Sequence, residues 1–401
     1  MDVRIGIIQT AKELDVELPA EVGRDELLAD IEGALANAEG ILWLTDKRGR
    51  RVGVPSAKVA YIEVGAAADD RRVGFGAPSR APVSGLLDRK LLFVTGKGGV
   101  GKTTVAAALG LLASERGKRV LVCEVDPKGD VAGALEAEAS GFVPREVAPG
   151  LFVMEMDTEA SLREYLRLNL RVPTVGRIGP VARAFDFVAS AAPGVREILT
   201  VGKLCYEVRE GRYDLVVVDA ATTGTIVGQL AAPVGINELV KVGAVRSQTR
   251  WMLDILDDRA TTGVCIVTTP EEMPVNEAMD LAARLESETG VHLAALVANR
   301  VMPELFSRSE QEVFDALSGA GRPASLASAL GDAGDAAVSA VLDAAELAVR
   351  IRRSGAAHLE RLRDALDRSL PLLYVPYLFG RAHGVRAVRR VAESLAEELG
   401  G

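Results

Sequence analysis

Apolar and polar positions along this chain follow two rhythms, and the change between them divides it. Near the start, Val3, Ile5 and Ile7 alternate with polar or small residues, as on a strand with one buried face. Residues 25–36 carry Leu27, Leu28, Ile31 and Leu35 at helical spacing. Residues 40–45 and 58–64 read as two further strands around the charged turn Asp46-Lys47-Arg48-Gly49-Arg50. From 65 to 84 the chain turns to Ala, Gly, Asp, Arg and Pro without period, which is linker composition.

Beyond Lys90 the rhythm changes. Short apolar runs at 91–95, 119–125, 151–156, 214–219, 264–268, 294–298 and 372–375 alternate with segments of helical length. Most runs are continuously apolar, as strands covered by helices on both faces must be. The expected fold is α/β, a doubly wound, mostly parallel sheet with helical insertions, preceded by a small α+β domain. The expected division is a first domain at 1–66, a linker at 67–88 and the large domain at 89–401. Two insertions interrupt the alternation. Residues 158–210 read as wholly helical with a break at Ala192-Pro193-Gly194, and residues 307–369 are Ala-rich with Val338, Leu342, Ala345 and Val349 at helical spacing. Their apolar faces suit packing on the sheet or an apolar groove for a client.

Composition narrows the function without choosing one. The 401 residues are 48% hydrophobic and 26% charged, ordinary for a soluble globular chain. A net charge of −9 argues against broad nucleic-acid binding, which needs a basic surface. Cys123, Cys205 and Cys265 form no C-x-x-C, so zinc and iron–sulfur ligation lack their usual spacing, and Cys123 and Cys265 read as buried, inert thiols. His292, His358 and His383 form no cluster. The N-terminal segment lacks the pattern of a signal peptide, and no stretch approaches the roughly 20 apolar residues of a membrane span. A cytoplasmic protein without an intrinsic membrane span is the expectation.

The chemistry is concentrated between Gly96 and Thr104, which read GKGGVGKTT. This satisfies G-x-x-x-x-G-K-[ST] between an apolar strand and a helix, the context of a phosphate-binding loop. Gly96, Gly98, Gly99 and Gly101, with Val100 between them, let backbone N–H groups turn toward phosphate oxygens. The helix beginning near Lys102 adds the positive end of its dipole. Lys102 is expected to reach the β- and γ-phosphates of ATP, and Thr103, followed by Thr104, to place a hydroxyl on Mg²⁺.

Two carboxylates end nearby strands. Asp126, in Glu124-Val125-Asp126-Pro127, is placed to orient or deprotonate an attacking water. Asp219 ends the apolar strand Leu215-Val216-Val217-Val218 and suits Mg²⁺, directly or through water. The following Ala220-Ala221-Thr222-Thr223-Gly224 places a glycine where its N–H can meet the γ-phosphate.

These residues resemble a known family. GKGGVGKTT resembles the deviant phosphate loop of the SIMIBI class of P-loop ATPases, marked by the extra lysine Lys97. Within that class the chain is most similar to the anion-transporting ATPases, which include the arsenical-pump-driving ATPase ArsA and the tail-anchored-protein targeting ATPases. Asp126-Pro127 resembles the family's first switch, and Asp219 to Gly224, DAATTG, resembles its second, D-T-A-P-T-G. Ala192-Pro193-Gly194 with Glu197 resembles the P-G-x-x-E of its helical subdomain. Ala298-Asn299-Arg300 resembles the V-N-[QR] whose Asn reads adenine, and Pro376 resembles the start of the loop near the base.

The resemblance implies an ATPase with ATP near a dimer interface, Lys97 reaching the partner's phosphates, Asp126 positioning water, and a client protein or membrane pump served by the switch. It is nearest to paired actinobacterial-type ATPases, so the partner is a second copy or a related ATPase. Ala220 and Thr222 replace the usual threonine and proline of the second switch, and Lys128-Gly129-Asp130 departs from the first. The zinc-holding C-x-x-C and the arsenite-activating cysteines have no counterpart, and one phosphate loop stands where the bacterial pump ATPase has two. Residues 1–65 resemble a small uncharacterised domain family, read as a regulatory or docking module. The competing readings are a ParA/MinD-type positioning ATPase and a nucleotide-gated client-binding chaperone with incidental turnover.

Overall fold

A computed structural model of the protein describes residues 2–7, 13–18, 27, 31, 33–34, 40–46, 50–64, 85–170, 194–239, 244–304, 306, 335–367, 369–379 and 383–400. The chain divides into two compact units, Met1–Gly74 and Phe75–Gly401. The expected linker as far as residue 84, the Ala192-Pro193 break and the stretch 307–334 lie outside the described residues; the linker's last residues, 85–88, are described, with Leu86 and Leu87 buried in the core of the second unit.

In the first unit, strand β1 (Asp2–Ile7) pairs antiparallel with β2 (Glu13–Glu17) on one side. On the other it pairs with β5 (Val59–Val64). Strands β3 (Ile41–Thr45) and β4 (Arg51–Pro55) form a separate hairpin. The residues alternating along these strands supply the core, in which Val3, Val16, Leu42, Leu44 and Val54 meet Leu27 and Ile31 of the helical segment. The hairpin turn is held by Asp46, which accepts from the Arg50 backbone N–H at 2.7 Å and from Arg50 Nε at 2.9 Å. Strands β2 and β4 are additions to the sequence reading. Three of the five residues of Glu13–Glu17 are acidic, and Arg51–Pro55 has only two valines, so neither announces itself.

The second unit is built on one eight-stranded sheet. Its strands are β6 (Leu91–Gly96), β7 (Val120–Glu124), β8 (Arg145–Ala148), β9 (Leu151–Glu155), β10 (Leu215–Thr222), β11 (Thr262–Thr268), β12 (Leu293–Val301) and β13 (Leu372–Pro376). They lie in the order β13-β12-β11-β6-β10-β7-β9-β8. All neighbours are parallel except the edge pair β8–β9. The seven expected strands of this domain are all present. The eighth, β8, is short, charged and exposed at its start, so no apolar run marks it in the sequence. Strands β6, β7 and β11 are buried at every position, the signature of a sheet covered on both faces.

Helix α1 (Lys102–Glu115) follows β6, and α2 (Asp130–Ala134) follows β7. Helices α3 (Thr158–Leu170) and α4 (Val195–Glu210) form the described part of the first insertion. They are followed by α5 (Thr223–Leu239), α6 (Ala244–Leu256) and α7 (Glu272–Glu288). Helix α8 (Asp335–Ala365) is the described part of the second insertion, and α9 (Val385–Glu398) ends the fold. Helices α1 and α9 pack together on one face, while α4, α5, α6 and α7 pack among themselves on the other. Close approach of α1 requires Gly110, where an added Cβ would lie 2.5 Å from Val122 Cγ2. Between α3 and α4, Lys203 is buried between Glu164 and Glu207, the latter at 2.8 Å. All three cysteines are buried and free, and burial pushes their thiols up, Cys265 to about 12.

The strand order decides the site. Strand β10 inserts between β6 and β7, so Asp219 comes down beside the phosphate loop and Asp126 lies one strand further out. The chain then crosses β6 to reach β11, and the reversal lies at the loop, where ligands of such sheets bind.

Candidate nucleotide site

The loop begins where β6 runs out of space. Gly96 has φ of +148°, and a Cβ there would sit 2.1 Å from the Val267 carbonyl oxygen on neighbouring β11. Only glycine fits this approach. Gly99 (φ +85°) and Gly101 (φ +94°) occupy the left-handed region, and a Cβ on Gly98 or Gly99 would meet open space. Gly101 caps α1 and turns the chain so that Lys102, Thr103 and Thr104 occupy its first turn, leaving unpaired N–H groups facing the loop. Val100 is buried and anchors the loop.

The loop is held from two sides. Asn299, buried near the end of β12, donates from Nδ2 to the Val100 carbonyl at 2.8 Å and accepts from the Arg300 N–H on Oδ1 at 2.9 Å. A Cβ on Gly101 would lie 2.4 Å from the Asn299 Nδ2. Arg300 itself has φ of +59°, a conformation uncommon for a side chain of its size. Thr95 donates its hydroxyl to the Ala221 carbonyl at 2.8 Å, tying β6 to the segment after Asp219.

Opposite the loop stand the carboxylates. Thr103 donates its hydroxyl to Asp219 Oδ2 at 2.7 Å. Asp219 is only 7% exposed, and burial raises its carboxyl from 3.8 to about 6, against the pull of the Thr103 hydrogen bond and the Lys102 charge. Burial pulls the Lys102 ammonium down, while Asp219 and Asp126 push it back up. Lys102 Nζ donates to the Lys97 carbonyl at 3.3 Å, across the mouth of the loop. Asp126 lies exposed past the end of β7, and its charge acts on Lys102.

Two residues that carried no assigned role in the sequence organise this region. Glu124, 2% exposed, accepts three backbone N–H groups: Lys128 at 2.9 Å, Asp130 at 3.2 Å and Val131 at 3.1 Å. With the Val125 N–H donating to the Asp219 carbonyl at 3.1 Å, this fixes the backbone on both sides of Asp126. The signal in the sequence was a carboxylate ending an otherwise apolar strand. The second is Glu277 of α7, which pairs with Lys97 and accepts the Thr223 hydroxyl at 3.2 Å. No local pattern distinguishes it from other helix-face glutamates.

Gly224 lies in the first turn of α5, exposed and directly after Thr223. Pro376 ends β13 opposite Val301, so it neighbours the Asn299 strand rather than the loop. The structure therefore gathers Gly96 to Thr104, Asp219 and Asn299 in direct contact, with Asp126 within reach of their charge.

A strand, a glycine loop of this geometry and a helix N-terminus on a parallel sheet define a P-loop nucleotide-binding α/β protein. Residues 89–246 and 237–316 match the family model described as anion-transporting ATPase, and residues 1–76 match one described as a protein of unknown function, DUF3107. The chain is 30% identical to ATPase BagA of Mycobacterium tuberculosis over 239 residues, covering 57% of this chain and 68% of that protein. It is also 30% identical over 159 residues to the ATPase ASNA1 homolog of Entamoeba dispar, covering 38% of this chain and 48% of that one. The ATPase ASNA1 homolog 1 of Paramecium tetraurelia is 31% identical over 162 residues, 38% of this chain and 47% of that protein. The chain belongs to the anion-transporting ATPase family, and it is an ATP-binding, ATP-hydrolysing enzyme.

Proposed function

We propose that the protein is a Mg²⁺-dependent ATPase switch that works as a dimer, with itself or a related ATPase, and couples hydrolysis to a client protein or membrane partner. The observation that carries the reading is the Thr103–Asp219 contact at the mouth of a loop in which neither Gly96 nor Gly101 has room for a side chain. A hydroxyl and a buried carboxylate are hard oxygen donors, the set that holds Mg²⁺ beside nucleotide phosphates. Bound there, Mg²⁺ would neutralise charge building on the phosphates.

Each residue then has a part. The amides of Gly98 to Lys102 bind the phosphates, Lys102 holds the β- and γ-oxygens, and Thr104 completes the first turn. Asp126, exposed on a loop fixed at both ends, accepts a hydrogen bond from the attacking water and orients it. Gly224 offers its N–H to the γ-phosphate, while Asn299 and Pro376 flank the base. Lys97 reaches phosphates held by the partner, as an arginine finger does. Loss of the γ-phosphate releases the segment from Asp219 to Gly224 and with it the start of α5. Because α5 packs on α4 and α6, that motion is delivered to the helical layer, the surface a client would read.

No described helix is long and apolar enough to cross a membrane, so a membrane partner would supply the span. A positioning ATPase would need a free amphipathic helix at the membrane. In α9, Val388, Val391, Ala392 and Leu395 are buried in the core shared with α1, so that face is spent. The test is steady-state ATP hydrolysis with and without Mg²⁺. Lys102→Ala and Asp126→Asn should each lower kcat at least about 100-fold, the usual cost of removing a charge-stabilising or water-orienting group. Parent-like turnover in both variants would refute the assignment.

A further inference from the structure

Glu277 stands apart from the loop in sequence, 180 residues from Lys97 and 54 from Thr223, yet it joins the two. One carboxylate oxygen pairs with Lys97 Nζ on the phosphate loop. The other accepts the Thr223 hydroxyl, at the first residue of α5 and four positions past Asp219. The Lys97 and Glu277 side chains are 31% and 32% exposed, so the pair is neither buried nor freely solvated. Its position at the site mouth puts it where an incoming polyanion arrives.

We infer that Glu277 is a positioning residue of the ATPase cycle: it parks Lys97 within its own subunit and yields it to phosphate, unlatching Thr223 in the same step. The inference rests on the reading of Lys97 as a phosphate ligand. A lysine held on Glu277 cannot also extend to a phosphate, so the two arrangements are exclusive. A half-exposed ion pair is weak, and an ammonium–phosphate contact in a site already lined with N–H donors is stronger, so the exchange runs toward phosphate. Once Lys97 leaves, Glu277 has lost its cation and faces added negative charge. Its remaining bond to Thr223 is then opposed by repulsion, and the first turn of α5 passes from Glu277 to the γ-phosphate that the Gly224 N–H meets. Helix α5 packs on α4, α6 and α7, so one carboxylate links the phosphates that Lys97 reaches in the partner subunit to the helical layer of its own. Sequestration also keeps a mobile cation from engaging a partner before nucleotide is present.

The test uses the full chain with Glu277→Gln, which keeps shape and removes the charge. In nucleotide-free protein, acylation of Lys97 by a small amine-reactive reagent is followed by mass spectrometry, with exposed Lys128 as the internal reference. Lys97 should label about 2- to 5-fold faster in Glu277→Gln than in the parent, the range a half-exposed ion pair supports. The KM for ATP should fall by a similar factor. In a Lys97→Ala background, Glu277→Gln should leave KM unchanged, because the competitor has nothing left to hold. Should Glu277→Gln fold poorly, Glu277→Asp, which keeps the charge and shortens the side chain by one methylene, takes its place in the same experiment. It should also speed Lys97 labelling. Equal Lys97 labelling, or an unchanged KM, in the parent and the Glu277 variant overturns the inference. The Lys97 reading fails separately, if Lys97→Ala hydrolyses ATP like the parent.

Discussion

Asp219→Asn should make the nucleotide-free protein more stable while removing its activity. In the folded chain burial raises the Asp219 carboxyl from 3.8 to about 6. A group whose folded pKa exceeds its unfolded one favours the fold while protonated and loses that contribution as pH rises through the folded value. At pH 7 the ionised, buried carboxylate therefore costs about 3 kcal/mol relative to a neutral group, and at pH 4.5 only about 1 kcal/mol. Asparagine is neutral at both pH values and retains an oxygen for the Thr103 hydroxyl, which now donates at 2.7 Å. The variant should gain up to about 3 kcal/mol at pH 7, and the gain should shrink about threefold at pH 4.5. The assay is urea unfolding of both proteins, with chelator and without nucleotide, comparing midpoints at unchanged slope. ATP turnover of the same variant should collapse, since a neutral amide is a poor Mg²⁺ ligand. A variant no more stable than the parent at pH 7, or equally stabilised at both pH values, would refute the assignment of burial as the dominant cost at this site.

Two further changes test the scaffold. Glu124→Gln replaces one acceptor oxygen by an amide N–H₂ among three backbone donors, at 2.9–3.2 Å from the carboxylate. It should free the Asp126 loop, lowering kcat about 10-fold or more with nucleotide affinity nearly unchanged; an equal loss in affinity by titration calorimetry would contradict this. Gly96→Ala forces a Cβ to 2.1 Å from the Val267 carbonyl at a φ of +148° and should destabilise the protein by about 3 kcal/mol or more and abolish ATP binding, checked by thermal unfolding and calorimetry.

Much of this site could be read from the chain because its parts are local. Gly96 to Thr104 are consecutive, and the strand and helix around them are apolar enough to be unmistakable. Asp219 was legible for the same reason, at the end of four buried apolar residues. What escaped was non-local or weakly patterned. Glu277 acts through a contact across 180 residues, and nothing in its helix marks it. Strands β2, β4 and β8 are short or charged, and they owe their existence to the neighbours they pair with rather than to their own burial. The resemblance gives Asn299 an adenine to read, yet its amide also braces the loop through Val100, a role only the packing of β12 over β11 toward β6 reveals.

The order of strands, which no local pattern encodes, gives the two aspartates different work. Each follows an apolar run that forms a parallel strand, and in sequence they look alike. Strand β10 lies against β6, so Asp219 is buried beside the loop, bonded to a hydroxyl and close to Lys102. Strand β7 lies one place further out, and the chain continues past Glu124 before Asp126 appears, exposed, on a backbone held by Glu124 and Asp219. A buried carboxylate bonded to a hydroxyl suits a fixed ligand. An exposed one on a rigid backbone suits contact with a water that must come and go. The division of labour follows from inserting one strand between two others, and exchanging the residues without exchanging the strands would not transfer it.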